Sequence, residues 1–327
     1  MINHMKAILV NSDKSLKLGE FEKPVPTSKQ LLVRVKAAAI NRADLMQRDG
    51  KYPPPPGASP ILGLEIAGVI EEIGNEVTKW QRGSKIFGLV PGGGYAEYAV
   101  INEEMALSIP QNLDFIEASA IPEVFLTAYQ AIVYYGKIRT GDTLLIHAGG
   151  SGVGTAAIQL AREIGSNIIV TASIEKHKAC FLLGAGNAID YRTKDFEDEV
   201  MKITKKEGVD VIIDFIGAPY LQKNIDCLRV DGKLIMLSSL GGGLVENFDM
   251  RKIVGKRLSI IGSALRSRSL DYQIKLVKDF SEFALYKFNS GILKPVVDKV
   301  FGWKEATMAH QYMSENRNTG KIVLKIE

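Results

Sequence analysis

A glycine-rich turn between an apolar run and a helical segment constrains the fold of this chain more than any other feature. Residues 142–165 read DTLLIHAGGSGVGTAAIQLAREIG, with four glycines in six positions. After the turn, apolar side chains recur along one helix face: Val153, Ala157, Leu160, Ala161 and Ile164. A strand, a turn and a helix in this order predict a dinucleotide-binding unit, in which free N–H groups at the helix start bind a pyrophosphate. A tight turn without a ligand is the alternative.

The segments on either side of this turn have two different characters. From residue 142, short apolar strands alternate with helical segments, which predicts a parallel, doubly wound sheet covered by helices. Before about residue 115 the chain has short β-branched runs separated by turn residues, and KYPPPPGASP (51–60) must form an ordered loop. After a long polar helix near 270–288, the β-rich style returns. We therefore predict an α/β protein in which a Rossmann-type domain, 124–292, is inserted into a β-rich domain, 1–123 and 293–327.

The end of the second Rossmann strand indicates which dinucleotide the turn binds. NAD sites place an Asp or Glu there, about 20 residues after the glycines, on the ribose 2′-hydroxyl. Here the strand NIIVTAS ends at Ser173, Glu175 lies past the expected tip, and Lys176 follows. A small polar residue and a lysine accommodate a 2′-phosphate better than an acid does, so the sequence favours NADPH. A solvated lysine at a helix start is the alternative for Lys176.

Several motifs together resemble the quinone oxidoreductase branch of the medium-chain dehydrogenase/reductase superfamily. They are NRADLMQRDGKYPPPPGAS, ILGLE, PGGGYAEY, IPEVFLTAYQ, IHAGGSGVGTAAIQLAR and TGKIVL, and the similarity runs from about residue 5 to the end. The resemblance implies a GroES-like catalytic domain, an NADPH-binding Rossmann domain, a homodimer and hydride transfer to a quinone. The apolar segment RLSIIGSAL, at a sheet edge, is the expected pairing surface.

The resemblance also points away from a metal. Zinc alcohol dehydrogenases of the superfamily carry a Cys where this chain has Asn41 and a His where it has Leu64. A Leu cannot coordinate zinc, which needs about three protein ligands, and the superfamily's run of four structural cysteines is absent. The histidines are dispersed: His4, His147, His177 and His310. Without a Lewis acid, an electron-poor quinone or conjugated enone is favoured over an unactivated alcohol.

Four residues are candidates for the reacting centre, on the strength of the resemblance. Tyr52 could donate a hydrogen bond to a quinone oxygen, or it could pack and anchor the proline-rich loop. Asn41 could bind the substrate or the nicotinamide ribose, and Asp44 could orient it or cap a helix at ADLMQR. Thr127 resembles the family threonine beside the nicotinamide, with a hydroxyl bonded to a helix carbonyl as the alternative. No histidine is placed as a proton relay, and water can supply the proton.

The cofactor-binding candidates fall into three groups. The turn contributes Gly150, Ser151, Gly152, Val153 and Gly154. For the adenosine 2′-phosphate the resemblance implies Lys176 and Tyr191, with Ser173 nearby and Arg317 as a third contact from the C-terminal return. Loops at the carboxyl ends of later strands should contribute Gly217, Ser238 and Ser239. Arg266 matches a family arginine near the cofactor, with a surface arginine as the alternative.

Composition narrows the range of partners. Lys and Arg number 41 against 37 Asp and Glu, for a net charge of +4, but they are scattered and indicate no nucleic-acid-binding patch. No signal peptide and no apolar run of about 20 residues is present. Cys180 and Cys227 have no paired spacing, which is typical of a reducing compartment. We expect a cytoplasmic protein with a small-molecule substrate and neither a nucleic-acid nor a membrane partner.

Three functions remain open at this point. The first is an NADPH-dependent quinone oxidoreductase. An enone or alkenal reductase would share its fold and cofactor and differ only in the pocket near Tyr52. The third is a protein that binds NADPH with little turnover. Comparing NADPH with NADH across a panel of acceptors separates these functions.

Overall fold

The computed structural model describes residues 4–327, and the chain forms two compact units. The GroES-like unit comprises the chain up to Leu126 together with Arg266–Glu327. The Rossmann-type unit comprises Thr127–Leu265. The observed fold is therefore α/β, with a parallel-sheet unit inserted into a β-rich one, as the sequence predicts.

The strands and helices have the following bounds. The strands are β1 His4–Val10, β2 Leu16–Glu22, β3 Gln30–Ala39, β4 Glu65–Ile73, β5 Lys85–Leu89, β6 Tyr98–Asn102, β7 Ala106–Ser108, β8 Thr143–Ile146, β9 Asn167–Thr171, β10 Asn187–Ile189, β11 Val209–Asp214, β12 Leu228–Met236, β13 Ser259–Gly262, β14 Val297–Gly302 and β15 Lys321–Lys325. The α-helices are α1 Arg42–Arg48, α2 Phe115–Ser119, α3 Pro122–Tyr129, α4 Gly152–Ile164, α5 His177–Leu183, α6 Phe196–Ile203, α7 Leu221–Cys227, α8 Arg251–Gly255, α9 Leu270–Asn289 and α10 Ala306–Ser314. A π-helical stretch, Gln130–Gly136, follows α3.

The GroES-like unit is built on one sheet that the two ends of the chain share. Its strand order is β14-β15-β3-β4-β5-β7, and β6 also pairs with β3. Strand β15 runs antiparallel to β3, with Val323 opposite Ala39, so the C-terminal segment returns to the sheet formed by the N-terminal one. The small side chains of Ala37 and Ala39 allow α2 to pack closely, through Ala120. The proline-rich loop lies between α1 and β4 and contains neither helix nor strand, as predicted.

The long polar helix forms as predicted, but it packs within the GroES-like unit. Helix α9 buries Phe280 and Phe288, whose ring centroids lie 6.4 and 4.9 Å from that of Phe125. The compact units divide at residues 126/127 and 265/266, so helix α9 belongs to the same unit as Phe125. The helical period alone does not indicate which unit receives the apolar face of a helix.

The Rossmann-type unit contains a six-stranded sheet in the order β10-β9-β8-β11-β12-β13, and its pairings are all parallel. From β8, successive strands are added on one side as β9 and β10 and on the other side as β11, β12 and β13. Sheets of this kind bind nucleotides at the carboxyl ends of the strands where the direction of addition changes, which here is between β8 and β11. Apolar residues of β8, β9, β11 and β12 are buried together with α6 and α7. His147, just after β8, is fully buried and hydrogen-bonded to Asn224 Oδ1 and Thr171 Oγ1 at 2.8 and 3.0 Å. It is a satisfied core histidine, as the sequence indicates.

Candidate functional site

The glycine turn connects β8 to α4 in a conformation that only glycine permits at one key position. A Cβ added at Gly154 would lie 2.4 Å from the carbonyl oxygen of Ala148 and 2.6 Å from that of Gly149. Ser151 is the N-cap of α4, and its Oγ accepts the N–H of Gly154 at 3.1 Å. This serine therefore stabilises the start of the helix. The turn brings the start of α4 to the carboxyl end of the sheet.

The end of β9 brings the candidate phosphate residues to the same turn. Ser173 is buried, and a Cβ added at Gly150 would lie 2.6 Å from Cδ of Lys176, so the lysine stem lies against the turn. Glu175, the one acid near the strand tip, forms an exposed ion pair with Arg192 at 3.2 Å. The guanidinium of Arg192 also lies 5.9 Å from the ring centroid of Tyr191. Arg192 is a residue that the sequence analysis missed, although it directly follows Tyr191 in IDYRT.

The loops after β11 and β12 meet as the strand order requires. Asp214, at the end of β11, accepts the N–H groups of Ile216 and Gly217 at 2.8 and 3.1 Å. Gly217 has φ +84°, and a Cβ there would lie 2.8 Å from Cβ of Ser239, so the two loops touch. Ser238 precedes this contact in the loop that follows β12.

Three further predicted residues belong to other segments of the chain. Arg317 belongs to the GroES-like unit, where it pairs with Glu315 at 3.4 Å and stacks on Tyr312. Arg266 also belongs to that unit and is described below. Thr127 lies in α3 and begins the Rossmann-type unit.

A buried lysine organises the region around Asn41. Nζ of Lys321 donates to Ile40 O at 2.8 Å and to Asn41 Oδ1 at 2.6 Å, and it pairs with Glu65 Oε1 at 2.7 Å. The side chains of Lys321 and Glu65 are 3% and 0% exposed. Asn41 Nδ2 donates to the same Glu65 Oε1 at 2.9 Å. Both ends of the Asn41 amide are therefore engaged within the protein, which gives Asn41 a positioning role here.

Asp44 is the centre of a second buried network. Its Oδ2 accepts the N–H of Asn41 at 2.7 Å, and its Oδ1 accepts the N–H of Gly63 at 2.9 Å. The hydroxyl of Tyr95 donates to Oδ2 at 3.3 Å and lies 3.1 Å from Nε2 of the buried His310. Burial raises the pKa of Asp44 to about 6 and lowers that of His310 to about 3. Asp44 thus both closes the first turn of α1 and fixes the backbone of Asn41.

A third group surrounds the proline-rich loop. The guanidinium of Arg266 lies 5.4 Å from the ring centroid of Tyr52, and its Nε and Nη2 donate to Pro91 O at 3.1 and 2.7 Å. Burial, followed by the charge of Glu123, raises the pKa of Tyr52, whereas Arg266 acts in the opposite direction. Glu123, at the start of α3, is a second residue that the sequence analysis missed. Its position in a helix first turn is so common that the sequence offers no distinguishing signal.

The donor set at Asn41 does not fit a zinc ion. Leu64 provides no donor atom, and the Asn41 carbonyl and Glu65 are already bonded to an ammonium group. Within residues 4–327, no cluster of three or more His, Cys, Asp or Glu side chains could hold a metal ion.

Comparisons with known proteins agree with this geometry. Residues 27–111 match the alcohol dehydrogenase GroES-like domain, and residues 152–282 match the zinc-binding dehydrogenase family. The chain is 30% identical over 307 residues to the quinone oxidoreductase of Homo sapiens, an alignment covering 92% of this chain and 90% of that protein. The chain belongs to the medium-chain dehydrogenase/reductase superfamily. It is therefore an oxidoreductase of a superfamily that binds a nicotinamide cofactor.

Other members of the superfamily are similar at the same level. The synaptic vesicle membrane protein VAT-1 homolog of Danio rerio is 32% identical over 319 residues, which cover 93% of this chain. This chain spans only 66% of the length of that relative. The crystal structure of CurK enoyl reductase superimposes with a TM-score of 0.87 at 28% identity, covering 99% of each chain. Among the helices formed by residues 4–327, none combines the length and apolar character needed to cross a membrane.

Proposed function

We propose that this superfamily member is an NADPH-dependent quinone oxidoreductase that works without a metal ion. The observation that carries the proposal is the buried ammonium of Lys321, which binds Asn41 Oδ1 and Glu65 Oε1, the oxygens that a metal ion at this position would need. Without a metal ion as Lewis acid, an electron-poor acceptor such as a quinone is favoured over an unactivated alcohol. The similarity to the human quinone oxidoreductase supports the same choice.

The glycine turn fits the pyrophosphate of a dinucleotide. The close approach at Gly154 leaves no space for a side chain, and Ser151 takes up only one N–H of the first turn of α4. The N–H groups of Gly152 and Val153 are then suited to bind phosphate oxygens at the positive end of the helix. When bound, the reduced nicotinamide supplies the hydride.

The preference for NADPH rests on the surroundings of Lys176. Its side chain lies against Gly150, while Glu175 is paired with Arg192. We assign the 2′-phosphate to Lys176 and Ser173, with Tyr191 and the newly identified Arg192 beside them. Gly217, Ser238 and Ser239 remain our candidates for the nicotinamide half, and Arg317, whose guanidinium pairs with Glu315, remains a further candidate for the 2′-phosphate.

Acceptor binding is assigned to the group around Tyr52. Its phenol is a donor for the acceptor oxygen, whereas Asn41 and Asp44 shape the site behind it, and Thr127 remains a candidate beside the nicotinamide.

An enone or alkenal reductase is the second candidate function, favoured by the similarity to CurK enoyl reductase. A protein that binds NADPH with little turnover is the third. A cytoplasmic homodimer completes the proposal, with the edge strand β13 as the pairing surface.

The test compares the two dinucleotides before and after removal of one charge. A charge-assisted hydrogen bond contributes about 1.5–3 kcal/mol, so K176A should weaken NADPH binding by about 10- to 100-fold and leave NADH binding nearly unchanged. The exposed Lys178, on α5, provides the matched control K178A. Equal losses for both dinucleotides would place the 2′-phosphate elsewhere. Rates with a quinone, an enone and a 2-alkenal, together with zinc analysis of active protein, then test the acceptor and the absence of a metal.

A further inference from the structure

Glu123 carries a carboxyl group that hydride transfer alone does not use. Its backbone N–H donates to Glu65 Oε2 at 2.8 Å, which fixes the first turn of α3 beside the ion pair of Glu65 and Lys321. Its side chain, in contrast, forms no hydrogen bond or ion pair with any residue of the described range 4–327. Glu123 as a whole is half-buried, so that protons can reach it from solvent.

The charges around Glu123 favour its protonated form. Burial, followed by the negative charge of Glu65 and then of Asp44, raises its pKa to about 7. The positive charges of Lys321 and Arg266 act in the opposite direction. Because the oxygens of Glu65 are engaged by Lys321, Asn41 and the Glu123 backbone, that carboxylate is held in place as a fixed negative charge. At neutral pH a substantial share of Glu123 side chains therefore carries a proton.

Two residues whose charge interacts with that of Glu123 each have an unused donor. Arg266 is held by Pro91 O through Nε and Nη2, while its buried Nη1 has no partner among the described residues. The ring of Tyr52 lies against the same guanidinium, and its phenol is close enough to Glu123 for that charge to affect its pKa. A phenol O–H and a guanidinium N–H together can bind an oxygen atom on which negative charge develops.

We propose that Glu123 is the proton donor of this oxidoreductase and that Tyr52 and Arg266 bind the acceptor oxygen that receives the proton. The inference rests on the proposed function. The acceptor gains a hydride and becomes an anion, and the O–H bond of the Glu123 carboxyl breaks as the proton moves to the acceptor oxygen. The Glu123 carboxylate regains a proton from water. One acceptor, one hydride from the reduced nicotinamide, which is thereby oxidised, and one solvent proton thus yield the reduced, neutral product.

The first measurement uses the cofactor-free protein. Infrared difference spectra across a pH titration should show the carbonyl stretch of a protonated carboxyl that disappears with a midpoint near pH 7. This band should be absent in E123Q and present in E282Q, a control on the exposed face of α9. A second band, from Asp44 near pH 6, should remain in both variants. If no band above pH 6 depends on Glu123, the inference is wrong whatever the catalytic activity.

The second measurement uses turnover. General acid catalysis contributes about 10²- to 10⁴-fold, so E123Q should lower kcat with a quinone by at least about 100-fold. It should also remove the decline in kcat above pH 7, whereas NADPH affinity stays unchanged and E123D restores part of the rate. Wild-type kcat and pH dependence in E123Q would overturn the role of Glu123 while the proposed function stands. Wild-type protein that reduces none of the quinones or enones would instead overturn the proposed function.

Discussion

Replacing Lys321 by methionine should destabilise the GroES-like unit strongly. The Lys321 side chain is 3% exposed, and its ammonium binds three oxygen atoms at 2.6–2.8 Å, one of which belongs to the fully buried Glu65. Methionine fills a similar volume but leaves the Glu65 carboxylate buried without its counter-charge. Removing one partner of a buried ion pair costs about 3–5 kcal/mol, so K321M should lower the free energy of unfolding by that amount.

Urea unfolding followed by tryptophan fluorescence measures this effect in the relevant unit, because the chain has two tryptophans, Trp80 and Trp303, and both lie in it. The matched control is K325M on the same strand, whose exposed side chain lies 3.9 Å from Glu327 and should contribute less than about 1 kcal/mol. Neutralising Glu65 as well, in K321M/E65Q, should recover at least half of the loss. A double variant as unstable as K321M, or K321M as stable as K325M, would refute the assignment of the energy to the ion pair.

Three further predictions concern the Rossmann-type unit. G154A should abolish dinucleotide binding, because its Cβ would lie within 2.6 Å of two backbone carbonyl oxygens. Fluorescence titration measures the affinity, and an unchanged value would show that the turn does not bind the pyrophosphate. Burial lowers the pKa of His147 from 6.5 to about 4. Between those two pH values the unfolded state binds a proton that the folded state does not bind. The free energy of unfolding should therefore fall by about 3 kcal/mol as the pH decreases through this range. Urea unfolding at pH 7 and pH 4.5 should show this loss in the wild type and a smaller loss in H147Q; equal losses would contradict it. I260K, on the edge strand β13, should convert the proposed homodimer into a monomer in sedimentation velocity, and an unchanged dimer would exclude this edge as the interface.

The sequence predicted those parts of the molecule that local order determines. The glycine turn, the helix after it and the alternation of strands and helices all depend on residues within a few positions of one another, and each was found where the pattern placed it. The placement of Ser173 and Lys176 near the turn follows from the same order, because successive parallel strands bring their carboxyl ends together.

The parts that the sequence did not predict depend on distant contacts. Lys321 lies 280 residues from Asn41 in the chain, and nothing in TGKIVL indicates that its lysine is buried. Arg266 contacts Pro91 and Tyr52, which lie 175 and more than 200 residues away in the chain and come near it only in the folded protein. The pKa of Glu123 is raised by burial and then by the charge of Glu65. Neither cause can be predicted from the residues next to Glu123 in the sequence. Long-range pairs of charges therefore mark the limit of sequence reasoning in this chain.

The position of Lys321 also bears on what binding of zinc at this place would require. Supplying the missing ligands by changing Asn41 and Leu64 would bring a dication towards oxygens that an ammonium already holds. Two unit positive charges 4 Å apart repel by about 4 kcal/mol at an effective dielectric of 20, and a dication doubles that repulsion. A zinc ion at this position would therefore require replacement of Lys321, and without both the lysine and the metal the buried Glu65 would have no counter-ion.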